Sequence, residues 1–338
     1  MFRSKAPLRL GFAGGGTDVH PYSTQYGGAV LNATINLYAH ATIEPLSENA
    51  IVLKDNDTLL RFDSNTVLPV DHALALTAGV YNRMQQQFGN LPAGLSITTS
   101  VDVPMGSGLG TSSTLVVALI GAFASMLSLP LSKYEIAKLA YDIERNDLGF
   151  AGGHQDQYAA SFGGINYMEF FENDTVSVQP IMLTAETLQY MEDRMLLYYT
   201  GNARQSGQII QEQQANVINN QQESVAAMHQ LKKQAQHMKK ALLQNRLDML
   251  GQLFDFGFEQ KRKMAKGISN PHIETIYDAA KNAGATGGKI SGAGGGGFMY
   301  FYCPPSATEA VTKTLNSFDG KVWPFKFTTE GMQAGTNS

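Results

Sequence analysis

The chain has 338 residues, 43% of them hydrophobic, enough for a sizeable core in one large or two medium domains. A formal net charge of −4 and a pI of about 6.0 point away from nucleic acid and from an anionic membrane as partners. The single cysteine, Cys303, excludes an intrachain disulfide and reads as a buried thiol, and with no apolar run longer than Leu115–Leu127 and no signal-like N-terminus, a cytoplasmic protein is expected.

Pro7–Phe12 alternates Leu8, Leu10 and Phe12 with Arg9 and Gly11 and reads as a short strand. It runs into Ala13-Gly14-Gly15-Gly16-Thr17-Asp18, so an arginine and a carboxylate share one strand end. That pair suits a ligand with several hydroxyls, although a plain loop with an N-cap uses the same residues. His20 reads as a substrate contact or as a structural histidine. Residues 29–43 and 51–63 read as strands, the second a hairpin around Asp55–Asp57, and residues 71–88 as a helix ended by Gly89-Asn90.

Leu95–Val101 is β-like and Leu115–Ile120 helix-like, and between them stands Val103-Pro104-Met105-Gly106-Ser107-Gly108-Leu109-Gly110-Thr111-Ser112-Ser113-Thr114. A strand, a glycine turn and a helix start can aim several N–H groups at one anion, which the helix dipole also favours. The rival reading is a glycine turn with a Ser/Thr N-cap. No Walker loop, G-x-x-x-x-G-K-[ST], occurs in the chain.

Ser132-Lys133-Tyr134-Glu135 is a capping box, and Ile136, Leu139, Ala140 and Ile143 form the buried face of the helix it opens. Glu144 follows that face; read alone, it is a surface carboxylate paired with Arg145 or Lys138. Asp156 reads as a carboxylate able to orient a hydroxyl and accept its proton, with an N-cap for the turn Gln157–Ser161 as the alternative, and residues 162–171 read as a strand. Arg194–Thr200 is a strand ending at Arg204, whose guanidinium suits a substrate phosphate. The Gln/Asn-rich region beyond is helical rather than disordered, because Met228, Leu231, Ala235, Met238 and Leu242 keep a 3-4 spacing that Leu243, Leu247, Leu250 and Phe254 repeat. Gly292-x-Gly294-x-x-Gly297 formally matches a dinucleotide fingerprint, but a strand, Phe298–Tyr302, follows where a helix is required. Ser306-x-x-Glu309 is expected to cap a last helix, and residues 322–328 to form a closing strand.

The spacing Pro104-x-Gly106-x-Gly108-Leu109-Gly110-x-Ser112-Ser113 resembles the central motif of the GHMP kinases, the superfamily of galactokinase, homoserine, mevalonate and phosphomevalonate kinases. Ala6-Pro7-Leu8-Arg9 through Thr17-Asp18 is similar, without a gap, to the opening motif of galactokinases, with Gly15-Gly16 in place of their Glu-His. Gly149, Gly153, Asp156 and Gln157 match the galactokinase catalytic motif, and Gly287-Gly288-Lys289-x-Ser291-Gly292-Ala293-Gly294 matches the third motif. Within the superfamily, Gly14–Tyr22 followed by Gly28–Asn36 most resembles the heptose 7-phosphate kinases.

The resemblance implies an α+β fold of two domains, residues 1–183 similar to ribosomal protein S5 domain 2 and residues 184–338 ferredoxin-like, with the active site between them. It implies that the backbone of Gly106, Ser107, Gly108, Leu109, Gly110, Thr111, Ser112 and Ser113 holds the ATP phosphates and that Ser112 and Glu144 hold Mg²⁺. Gly14, Gly15, Gly16, Thr17, Asp18, Gly153, Gly294 and Arg204 would hold the sugar. Asp156 would take the proton from the attacking hydroxyl, late in phosphoryl transfer, while Arg9 stabilises the developing charge. The missing Glu-His pair is expected to leave room for a longer or phosphorylated sugar tail. The expected reaction is ATP-dependent phosphorylation of the anomeric hydroxyl of D-glycero-D-manno-heptose 7-phosphate, giving the 1,7-bisphosphate on the route to nucleotide-activated heptose. The rivals are an anomeric kinase for unphosphorylated L-fucose or galactose, and a non-catalytic sensor of sugar and ATP. The expected partner is the small-molecule sugar phosphate, and a homodimer is compatible with the sequence.

Overall fold

The computed structural model of the chain describes residues 1–64, 66–201 and 207–336. Seven strands begin one sheet: β1 (Phe2–Ala13), β2 (Gly28–Pro45), β3 (Ala50–Lys54), β4 (Leu59–Asp63), β5 (Leu95–Val101), β6 (Ile165–Phe170) and β7 (Val176–Pro180). The long β2 organises it. One edge pairs antiparallel with β1, while the other pairs with β6 through residues 28–33 and with β5 through residues 39–45. β3 joins β5 in parallel, and β4 and β7 complete the two arms. The helices Ala75–Phe88, Thr111–Leu127 and Lys133–Asp142 bury their apolar stripes on this sheet, with Ile43, Ile97, Val116, Ile120, Phe123 and Ile136 in one cluster. The Ser132–Glu135 capping box forms as expected.

Four strands form a second, antiparallel sheet in the order β11-β8-β10-β9: β8 (Met195–Tyr199), β9 (Gly287–Ile290), β10 (Phe298–Tyr302) and β11 (Lys321–Trp323). β10 is buried on both faces, which fits its run of large side chains, Phe298-Met299-Tyr300-Phe301-Tyr302. Met299, Phe301 and Cys303 pack with Ile276, Val311 and Leu315, and burial pushes the Cys303 thiol up to about 12, consistent with an inert core cysteine. Phe298, Tyr300 and Tyr302 point the other way, into a cluster shared with Leu8, Leu10 and Phe12 of β1. Phe12, Phe254 and Tyr300 are the hub, with ring centroids 5.3 Å apart for Phe12–Phe254 and 5.0 Å for Phe254–Tyr300, and the Tyr300 hydroxyl donates to the Gly11 carbonyl at 2.7 Å. One core therefore runs beneath the junction of the two sheets.

The Gln-rich region is helical at Gln222–Leu243 and Leu250–Arg262, and the first 3-4 stripe is buried. Leu243 is the exception at 62% exposure: the chain turns after it, so the second stripe starts at Leu247. The last helix, Pro305–Leu315, starts with proline at its first position behind Pro304, and Ser306 makes no cap. The expected strand at 322–328 is only partly regular. β11 ends at Trp323, Phe327 bridges Ile35 of the first sheet, and β12 (Gln333–Thr336) pairs antiparallel with β1. The chain end thus returns across the linear division expected at 183/184. No helix among the described residues is long and apolar enough to cross a membrane.

Because Phe254 is fully buried in the cluster common to both sheets, Phe254→Ala is expected to destabilise the whole chain by about 3–5 kcal/mol in one cooperative denaturant transition. A loss below about 1 kcal/mol, or two separate transitions in the parent protein, would show that the sheets do not share a core.

Candidate active site

The glycine-rich stretch leaves β5 and ends in the helix Thr111–Leu127, whose N-cap is Gly110 with φ 78° and no side-chain cap. The Ser/Thr-cap reading therefore fails. Thr111 Oγ1 instead accepts from the Gly106 N–H at 3.3 Å and closes the loop. The first-turn N–H groups stay available to an anion, and no acidic side chain stands in that turn to compete for them. The second glycine run packs directly on this loop. Phe298 N–H donates to Ser107 O at 2.8 Å and Ser291 Oγ to Gly108 O at 2.9 Å. A Cβ on Gly108 would lie 2.7 Å from Ser291 O, so backbone meets backbone and no side chain fits between.

Beside the loop lies a bidentate ion pair. Arg9, at 3% exposure, donates from Nε to Asp156 Oδ1 at 2.7 Å and from Nη2 to Oδ2 at 2.8 Å. Its third donor, Nη1, reaches Gly108 O at 2.6 Å. Asp156 sits in the first turn of the helix Gln155–Phe162, behind the N-cap His154, so it is not itself the cap. Its carboxylate lies against Gly110, where an added Cβ would meet Oδ2 at 3.2 Å. Asp18 is held by the Gly16 N–H at 3.1 Å and the Gln155 N–H at 3.1 Å, and Gly153 is glycine because Asp18 occupies the space a side chain would need.

Glu144 overturns the surface reading: it is 1% exposed and continues the buried stripe of Ala137, Ala140 and Tyr141 into the π-helical turn Ile143–Asp147. Gln157 Nε2 donates to it and also to Ser113 Oγ at 3.1 Å, while the Arg145 guanidinium stands 3.7 Å away. Burial pushes the Glu144 carboxyl above its ordinary value, and Arg145 opposes that shift. Glu144 and Ser112 border the same cavity, and a carboxylate and a hydroxyl are the hard oxygen donors that Mg²⁺ takes, so these residues fit the ion.

These parts enclose a cavity of about 770 Å³. Arg9, Gly15, Gly16, Asp18, Gly153 and Asp156 border it on the sugar-loop side, and Gly106, Gly108, Gly110, Thr111, Ser112, Ser113 and Glu144 on the phosphate-loop side, with Gly294 from the second sheet's loop. Gly14, Thr17, Ser107 and Leu109 do not border it. Thr17 is a buried fastener, donating to Gly14 O at 2.8 Å and accepting from the Ala29 N–H; Leu109 belongs to the core; Ser107 is fully buried under the second glycine run. Arg204 lies outside the described residues. The room expected at Gly15-Gly16 is partly filled, because a Cβ on Gly16 would strike Met264 and one on Gly15 would touch Gln155.

Lys261 was not legible as a site residue. It is 4% exposed, borders the cavity, and carries a pKa lowered by burial to about 8, with Asp18 opposing the shift. In sequence it sits in the run Lys261-Arg262-Lys263, which looks like a solvated face. The one available signal is its spacing from Phe254 and Phe258, which places it on the buried stripe.

Residues 75–164 match the family described as GHMP kinases N terminal domain, and residues 238–319 the one described as GHMP kinases C terminal. The chain is 43% identical, over 98% of both chains, to the D-glycero-alpha-D-manno-heptose 7-phosphate kinase of Campylobacter jejuni. A crystal structure described as a D-glycero-D-manno-heptose 1-phosphate kinase from Bacteroides thetaiotaomicron superposes with a TM-score of 0.86 at 41% identity, covering 100% of both chains. The L-fucokinase/L-fucose-1-P guanylyltransferase of Bacteroides fragilis is 30% identical over 92% of this chain and 35% of its own length.

A carboxyl with a raised value in the fold contributes its stability fully at low pH and loses it as pH rises through that value. In metal-free buffer at neutral pH, Glu144→Gln is therefore expected to melt above the parent protein, with the gap closing as pH falls into the ordinary carboxylate range. Added Mg²⁺ and ATP should stabilise the parent and not the variant. A variant that melts lower in metal-free neutral buffer would show that the charged carboxylate is satisfied without an ion.

Proposed function

The chain belongs to the GHMP kinases, and on that premise we propose that it phosphorylates the anomeric hydroxyl of D-glycero-D-manno-heptose 7-phosphate, giving the 1,7-bisphosphate. It is a sugar kinase with ATP as the phosphate donor, related to heptose phosphate kinases. The observation that carries the finer reading is Lys261. Lys261 is a buried ammonium with no hydrogen-bonded carboxylate among the described residues; Asp18 and Asp156 offset its burial only in part, and a substrate phosphate in the cavity it borders would supply the missing direct partner. Met264, against Gly16, belongs to the same stretch of chain, so the second lobe supplies this wall of the sugar site.

Each residue's role follows from its position. The uncapped helix start and the glycine loop bind the phosphates of ATP through N–H groups. Asp18 orients ring hydroxyls. Asp156 lies between the sugar loop and the phosphate loop and accepts the proton of the attacking hydroxyl, while Arg9 fixes the carboxylate and counters the charge that develops there. When bound, Mg²⁺ would neutralise charge on the transferring phosphates, held by Ser112 and Glu144.

The test is ADP release against heptose 7-phosphate, heptose 1-phosphate, the unphosphorylated heptose, mannose 6-phosphate, fucose and galactose, with ³¹P NMR of the product to locate the new ester. Turnover favouring heptose 7-phosphate with a new anomeric phosphate supports the reading. Preference for heptose 1-phosphate, fucose or galactose replaces the substrate, and ATP binding without turnover on any sugar replaces the enzyme with a sensor.

Asp156→Asn should lower kcat by ~10²–10⁴-fold with ATP affinity kept, as for a lost general base; near-normal turnover would remove Asp156 from its role. Lys261→Met should raise the KM for the sugar phosphate ~10–100-fold, the worth of a charge-assisted hydrogen bond, and leave the KM for ATP within about twofold. In the parent enzyme, kcat/KM for the sugar phosphate should fall as pH rises through about 8, where Lys261 loses its proton, and this limb should vanish in the variant. Unchanged sugar-phosphate KM and pH profile would place the substrate phosphate elsewhere.

A further inference from the structure

Three side chains from separate segments converge on the outer side of the sugar loop. His20 lies just beyond Asp18 in that loop, His154 just before Asp156, and Asp174 in the turn between β6 and β7. His154 Nε2 is 3.0 Å, and His20 Nε2 3.2 Å, from the same oxygen, Asp174 Oδ1. One ligand atom from each of the three lies within 4.8 Å of the others.

Hydrogen-bond chemistry fixes how the rings are used. His154 Nδ1 lies 3.0 Å from the main-chain carbonyl oxygen of Asp18, which can only accept, so Nδ1 carries a proton and donates. Its Nε2 then either holds a second proton for Asp174 or turns a lone pair toward the cluster. His20 Nδ1 is engaged by Ser23 Oγ at 3.2 Å. Both imidazoles thus have Nδ1 tied to the protein and Nε2 turned on a shared carboxylate, as metal-bound histidines do. The two His–Asp174 spacings agree with this: ligand atoms about 2.0–2.1 Å from a Zn²⁺-sized ion stand about 3.0–3.4 Å from one another, and the two imidazole nitrogens lie within 4.8 Å. His154 is pre-oriented by stacking on Tyr141 at 3.8 Å and 9°, while His20 and Asp174 are open enough to solvent for an ion to enter and keep a water ligand.

We propose that His20, His154 and Asp174 form a site for a divalent first-row transition ion of the Zn²⁺ class, separate from the Mg²⁺ ligands of the kinase cavity. Two imidazoles and one carboxylate select Zn²⁺, Co²⁺ or Ni²⁺ over Mg²⁺, which takes oxygen ligands. The ion takes no part in the transfer. It ties the loop that carries Asp18 to the helix that carries Asp156, and so holds the sugar and the proton acceptor in register. The inference is independent of which sugar the enzyme uses.

The metal-free full-length protein, with excess Mg²⁺ present, would be titrated with Zn²⁺ by calorimetry and with Co²⁺ by visible absorption. One equivalent is expected to bind with a Kd of about 1 μM or tighter. His20→Ala and Asp174→Asn, both at partly exposed positions, should each weaken it at least ~10-fold and abolish the Zn²⁺-induced rise in Tm, whereas Glu144→Gln should leave it intact. His154 is left unchanged because it is buried. Binding weaker than about 100 μM, or tight binding untouched by both variants, would reduce the cluster to an ion pair and overturn the site.

Discussion

A single buried guanidinium ties together the parts of the candidate site. Arg9 lies within β1, its main-chain N–H donates to Leu109 O at 3.1 Å, and its side chain reaches Gly108 O and both oxygens of Asp156. Strand, glycine loop and the helix Gln155–Phe162 are thereby fixed to one rigid planar fork. Burying a guanidinium is costly, and it is tolerated here because the donors facing the protein are matched at short range. That same matching fixes the orientation of the Asp156 carboxylate, as the proposed proton acceptor would require.

The second constraint is that two glycine runs touch through their backbones. The contacts of Ser107 and Gly108 with Ser291, Gly292 and Phe298 bring the second sheet to within hydrogen-bonding distance of the phosphate loop. Beneath them the Phe12–Phe254–Tyr300 cluster makes the junction a core rather than a hinge surface. The helix Leu250–Arg262 packs on that cluster through Phe254 and on the cluster of Tyr277, Met299 and Phe301 through Phe258, and this packing delivers Lys261 to the cavity. The cation beside the sugar loop is therefore a consequence of how the two lobes share their core.

Glu144 shows how helix periodicity can bury a charge. Ala137, Ala140 and Tyr141 are buried, and Glu144, four residues beyond Ala140 and three beyond Tyr141, continues their stripe into the wall of the cavity beside Ser113 and Gln157. The π-helical turn Ile143–Asp147 then ends the helix. Burial makes the charged form of this carboxyl unfavourable, and Arg145 opposes that shift.

The sequence by itself determined the family, the order of the three glycine motifs and the paired identities of Arg9 and Asp156, because phosphate loops and tight backbone approaches demand particular residues at fixed spacing. It also determined most elements, since the 3.6 and 2.0 periodicities of the helices and of β1 are local properties. Read alone, Glu144 looks like a surface carboxylate, although it continues a buried stripe, and Ser306 is misread as a cap, because a proline pair starts that helix without one. Tertiary structure alone decided that Thr17 and Leu109 build the wall rather than face the cavity, that Met264 fills the space beside Gly16, and that the chain end returns to β1. It alone brought Lys261 to Asp18, and His20 and His154 to Asp174. Such meetings join residues far apart in the chain through shared burial, and no periodicity or short motif records which distant surfaces a core will press together.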